Sequence, residues 1–119
     1  MNTITYEVRD RIRSAMVAAR DARRSGDRER CWALLEDAHV VSQPWATWHV
    51  RVHGSMLIAG ADERDWREVR GQLVRLVVAG PGSAAGRYPV GNTGRARVPA
   101  TRPMPIRDEL ADLLRAAGQ

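Results

Sequence analysis

The 119-residue chain has no lysine: its 19 basic residues are all arginine. That absence excludes a Schiff-base lysine, a lysine general base and the lysine of a phosphate-binding loop. No glycine-rich fingerprint follows a strand pattern, so the common nucleotide-binding loops are not expected either. Cys31 is the single cysteine, which removes an intrachain disulfide and the stapled scaffold of small secreted proteins. Long hydrophobic runs are missing as well. The longest apolar stretches, such as Leu76 to Gly80, are far too short to span a bilayer, so no membrane partner is expected. The N-terminus lacks an apolar run with a cleavage site. A reducing, cytoplasmic location is the expectation.

What is present suits one small globular domain. Hydrophobic residues make up 44% and charged residues 28%, with a formal charge of +5. A chain of this size can bury one modest core and one small site. The positive charge alone permits an anionic partner. Its distribution argues against nucleic acid: acidic residues alternate with the arginines, and no arginine run exceeds Arg23-Arg24. Only the part after residue 80 is distinctly basic for its size.

Hydrophobic periodicity predicts helices. The first runs from Thr5 to about Arg24, with Val8, Ile12, Ala15, Met16 and Ala19 at helical spacing. Gly26 stops it, and Asp27 is a suitable N-cap for a second helix reaching Ser42. Pro44 suits the first turn of a third, to about Ile58 and ending at Gly60. A fourth opens at Asp62 or Glu63 and reaches Ala79, with Trp66, Val69, Leu73, Leu76 and Val77 expected to face inward. Residues 80–105 then hold five of the six prolines and five of the ten glycines. They read as an extended strap or lid, with a sharp turn at Gly91-Asn92-Thr93-Gly94. A short terminal helix follows from Pro105 to Ala117. The expected fold is all-α: a four-helix-bundle-like core over 1–79, a Pro/Gly-rich segment over 80–105, and a C-terminal helix within 106–119 packed on the same domain.

All three histidines fall within 15 residues. His49 and His53 are four apart and Glu36 and His39 three apart, so each pair shares one helical face. The two pairs straddle the turn at Ser42 to Pro44. Positions facing each other across an antiparallel hairpin have a nearly constant sum. That rule sets His39 level with His49, and Glu36 level with His53. A tight hairpin then gathers Glu36, His39, His49 and His53 into a ligand set of three nitrogens and one oxygen. Such a set suits zinc, ferrous iron, nickel or copper(II) better than magnesium or calcium. It can also leave a coordination position open for water or substrate. In a metal-dependent enzyme Glu36 or His49 would be the catalytic group, Glu36 as ligand or general base. Glu68 and Asp65 are candidates for a fifth ligand or for orienting a histidine. Arg87 and Asn92 are candidates to orient a substrate from the loop. The signal is weaker than HExxH, since no glutamate follows His49. A helix seam in which a histidine is merely hydrogen-bonded to a carboxylate has the same spacing. No nucleophile triad stands out: Ser55 lacks a third member, and Ser83 has no local base.

Several runs together carry a resemblance. They are Leu35-Glu36-Asp37-Ala38-His39-Val40, His49-Val50-Arg51-Val52-His53, Arg64-Asp65-Trp66-Arg67-Glu68-Val69-Arg70-Gly71-Gln72, Gly91-Asn92-Thr93-Gly94 and Pro103-Met104-Pro105-Ile106. With these, residues from about 28 to 115 resemble a family of small bacterial proteins that carries only a domain-of-unknown-function label. Some members are encoded near heavy-metal resistance genes. The resemblance implies a metal connection by association and supplies no activity.

Three readings follow. The first is a small helical protein binding a divalent transition metal at a site of three histidines and one glutamate, with a small-molecule substrate if it is an enzyme. The second is an interaction or adaptor protein whose His/Glu residues form a structural seam. The third is a metal-free enzyme using a histidine as base on a small organic substrate. A homodimer is compatible with all three.

Overall fold

A computed structural model describes residues 2–119. Five helices follow one another: α1 (Tyr6–Arg24), α2 (Arg28–Ser42), α3 (Ala46–Asp62), α4 (Trp66–Ala84) and α5 (Asp108–Ala116). Among the described residues there is no strand. The first two helices begin where the sequence predicts, each one residue after a capping side chain. The Thr5 hydroxyl accepts from the Val8 amide at 3.3 Å, and the Asp27 carboxylate accepts from the Arg30 amide at 3.1 Å. In α1 the buried residues are Val8, Ile12, Ala15, Ala19 and Ala22, a single stripe at helical spacing.

Neighbours in sequence are neighbours in space: α1 packs on α2, α2 on α3 and α3 on α4. The short α5 lies against α1 and α2. Arg107, at its N-terminal end, pairs with Asp37 of α2 at 2.8 Å, and Glu109 pairs with Arg11 of α1 at 3.3 Å. The expected four-helix core is therefore divided. The apolar cluster is built from α1, α2, the α2–α3 turn, α3 and α5, with Ile12, Leu35, Val52, Met56 and Leu110 at its centre. No residue of α4 belongs to it.

The fourth helix opens at Trp66 under an Asp65 cap, not at Asp62 or Glu63, which end α3, and two further expectations about it need correction. It does not end at Ala79 but continues through Gly80-Pro81-Gly82 to Ala84. Pro81 lies one turn from the C-terminus, where the Ala85 amide still donates to its carbonyl at 3.0 Å. The second correction is the orientation of its faces. Trp66 is 58% exposed and Val77 75%, and Leu73, Val74 and Val78 are also exposed. The buried side chains are Glu68, Gln72, Ala79 and Ser83. The helix turns its polar stripe inward because that stripe finds hydrogen-bond partners there, which burial requires. Polar and apolar stripes have the same period, so hydropathy alone picks the wrong face.

Residues 85–107 form turns without helix or strand. Gln43, in the α2–α3 turn, pins this segment. Its amide donates to the Pro89 carbonyl at 2.9 Å, and its Oε1 accepts from the Gly91 amide at 3.1 Å. The turn closes slightly earlier than predicted, with the Asn92 amide donating to the Pro89 carbonyl at 3.0 Å, and Gly91 and Gly94 are both left-handed at φ 80° and 83°. Asn92 braces it from inside. Its Oδ1 accepts from the Gly94 amide at 2.8 Å, and its amide donates to the carbonyls of Pro99 and Arg102.

Candidate metal centre

His39 comes from α2, and His49 and His53 come from successive turns of α3. As the hairpin register requires, the three rings meet. Their Nε2 atoms are 3.0 Å apart for His39–His49, and 3.1 Å for both His39–His53 and His49–His53. All three rings are buried. Among the described residues, these three form the one cluster with the geometry to hold a metal ion.

The opposite edge of each ring is engaged, and those contacts fix the tautomers. His39 Nδ1 lies 2.7 Å from the Asn92 carbonyl, which can only accept. His53 Nδ1 lies 2.6 Å from Gln72 Oε1. The Gln72 amide nitrogen is committed to the Gly94 carbonyl at 2.8 Å and to Glu68 Oε1 at 3.2 Å, so its oxygen faces the ring. His49 Nδ1 lies 2.6 Å from Ser83 Oγ, whose own proton goes to the Gln43 carbonyl at 2.5 Å. Each Nδ1 therefore carries the hydrogen and donates it outward. A neutral imidazole has one N–H, so each Nε2 is a bare lone pair. Three lone pairs point at one another across about 3 Å.

Burial works against resolving that repulsion with a proton. It holds His39 well below the ordinary histidine range, with the other two imidazoles adding to the effect. His49 is pushed down to about 3, first by burial and then by His53. His53 is lowered to about 4, again mainly by burial, although its bond to Gln72 opposes the shift. At neutral pH the cluster is three neutral donors, the form in which histidine binds a metal.

The rings also border a cavity of about 250 Å³. It lies between α3, α4 and the irregular segment, with Arg75, Arg87, Tyr88 and Thr101 among its other walls.

The remaining sequence candidates have other places. Glu36 does not join the rings. It is half-buried, its carboxyl is raised mainly by burial with Arg95 opposing, and it does not border the cavity. The level expected for Glu36 against His53 is taken from the α4 side by Gln72. Glu68 is buried but contacts no histidine. Its Oε1 accepts from Arg95 Nε at 2.9 Å and from Gln72, and its Oε2 accepts from the Ala96 amide at 2.9 Å. It thereby orients Gln72, which orients His53. Asp65 is remote from the rings: it caps α4 through the Glu68 amide and pairs with Arg97 at 2.8 Å. Asn92 meets the site through its backbone carbonyl, not its side chain. Arg87 is exposed at the cavity wall.

Sequence reasoning missed Gln72, Ser83, Gln43 and Gly94. Ser83 has no base near it in sequence, yet it sits against His49 in space. A signal for two of them was present: Glu68, Gln72, Ala79 and Ser83 recur at helical spacing on one face. Gly94 lies against His39 so closely that a Cβ there would fall 2.6 Å from the ring.

The arrangement defines a class: an all-α protein in which a helical hairpin presents three imidazoles, with α4 and a loop holding their outer edges. The chain belongs to the family described as "Protein of unknown function (DUF3703)", whose model matches residues 6–114. No curated protein and no solved structure matches it.

Proposed function

We propose that the protein binds one divalent transition metal through Nε2 of His39, His49 and His53. The observation that carries this reading is the convergence of three unprotonated Nε2 atoms, each fixed by an outward hydrogen bond. A cation at that point turns mutual repulsion into shared attraction. The outer acceptors are of the kind that accompany metal-binding histidines: a backbone carbonyl, an amide oxygen and a hydroxyl. Zinc–nitrogen bonds of about 2.05 Å at tetrahedral angles place ligand nitrogens roughly 3.3–3.4 Å apart. The rings need to separate by only a few tenths of an ångström to reach that spacing. Three imidazoles suit zinc, ferrous iron, nickel or copper, and a three-ligand set keeps one position free. Glu36 has no part in this site, so the general-base role that spacing gave it is not carried forward.

A second reading has its own support. The rings are enclosed, each has a partner, and His39 meets the other two rings edge-on at centroid distances of 4.6–4.8 Å. A polar seam of this kind could fix the register of α2, α3 and α4 without an ion, in a protein whose exposed α4 face serves contact with others. The third, a histidine base acting on an organic substrate in the cavity, requires one Nε2 to turn from its neighbours.

Metal analysis of protein purified without a tag or chelator separates these readings. One equivalent of metal is expected after anaerobic reconstitution, and His49→Ala should weaken binding by at least about a hundredfold. Less than about a tenth of an equivalent of any transition metal sinks the first reading and leaves the two metal-free ones.

A further inference from the structure

We infer that the cavity beside the three histidines binds a small oxyanion, a carboxylate or phosphate group, with one oxygen at the free position of the metal and another on Arg75. This inference rests on the metal reading above. Its own support is the charge and size of the cavity.

Two guanidinium groups, Arg75 and Arg87, border the cavity, and no carboxylate does. The nearby Arg95 and Arg97 have acidic partners, Glu68 and Asp65. Among the described residues, Arg75 and Arg87 form no ion pair. Arg75 is half-buried and held in place by backbone, donating to the Gly71 carbonyl at 3.3 Å and the Val98 carbonyl at 2.9 Å. These bonds use one hydrogen on each terminal nitrogen, leaving further donors on the same fork. Burial lowers the Arg75 pKa, a sign that its charge is poorly solvated. Glu68, the carboxylate whose charge acts on it, already accepts from Arg95, Gln72 and the Ala96 amide.

A half-buried cation with no direct ion pair, beside a proposed dication, makes the cavity positive. An anion bridging the two would neutralise both, and a planar guanidinium fits a carboxylate or phosphate edge. Thr101 adds a hydroxyl to the wall. The volume of about 250 Å³ equals that of about eight liquid waters, room for a small oxyanion beside the rings.

The test uses the full chain loaded with one equivalent of cobalt(II), whose visible ligand-field bands report the metal's ligands. Acetate, inorganic phosphate and acetamide, the neutral counterpart of acetate, are each titrated at constant ionic strength. Acetate or phosphate should shift the bands along a saturable curve, and acetamide should not. Which anion binds more tightly identifies the group. Arg75→Gln should weaken that anion about tenfold or more, as expected for losing a hydrogen bond between charged groups. Arg87→Gln, at an exposed position with little bearing on folding, should weaken it severalfold and decides the matter if Arg75→Gln does not fold. Cobalt that binds but whose bands neither anion moves, or that acetamide moves equally, overturns this inference and leaves the metal reading standing. An anion affinity unchanged in the folded variants does the same. Failure to take up cobalt at all overturns the metal reading, and this inference with it.

Discussion

The two halves of the molecule are held together by different physics. Helices α1, α2, α3 and α5 share an apolar cluster that excludes water and needs no particular partner at any position. Helix α4 is attached through buried Glu68, Gln72 and Ser83, each hydrogen-bonded to a named group on α3, α4, the α2–α3 turn or the irregular segment. The apolar half tolerates exchange of similar side chains. The polar half tolerates little, because a buried donor or acceptor that loses its partner carries its full desolvation cost. The proposed metal lies where the halves meet, with its ligands on α2 and α3 and their outer partners on α4 and the loop.

Substitutions can separate the halves. The largest loss of stability is expected for Ile12→Ala in the apolar cluster, about 2–5 kcal/mol in chemical denaturation. The same loss should appear with and without zinc; a loss that zinc reverses would show that the halves are not separate. Gln72→Leu removes the acceptor of His53 and a donor to Glu68. Zinc affinity should fall about 10- to 100-fold by competition with a chromophoric chelator, and an unchanged affinity would mean that α4 does not orient the ligands.

The pH dependence of the metal-free protein should be intermediate. Its histidines stay neutral when folded down to about 4 for His53 and about 3 for His49, whereas in the unfolded chain they take up protons below about 6.5. The unfolded state therefore binds more protons in that interval. Stability should fall as pH drops from about 6.5 towards 4, and these groups should contribute no slope above about 6.5. Replacing all three histidines with glutamine should flatten this part of the profile; an identical slope would show that other groups set it. The smallest effect is expected at Val77→Ser on the exposed stripe of α4, within about 0.5 kcal/mol. A larger loss would mean that this face is covered in solution.

The sequence was most legible where one periodic signal had no rival. In α1 the apolar stripe gave both the start near Thr5 and the buried face. The hairpin register correctly brought His39 to the His49 and His53 pair, because the turn from Ser42 to Pro44 leaves little freedom. Legibility failed on α4, where a polar stripe and an apolar stripe compete for the interior. Only tertiary partners distant in sequence, such as Gly94 and the Gln43 carbonyl, decide between them. It failed again at Glu36, since level along a hairpin does not fix the direction around the helix axis. Pro81 misled for a third reason: proline breaks a helix interior strongly, but near the last turn the loss is small and the Ser83 contacts outweigh it.

The bond from His39 Nδ1 to the Asn92 carbonyl has a consequence in time. Residues 85–107 have no helix or strand to slow the exchange of their amide hydrogens, so their clock is set by what anchors them. An ion that immobilises the His39 ring also immobilises the Asn92 carbonyl and the Gly94 backbone packed beside that ring. The amides of Gly91, Asn92 and Gly94 would then exchange slowly when the centre is filled and quickly when it is empty. The loop would thus record occupancy as a lifetime, readable from outside without touching the site.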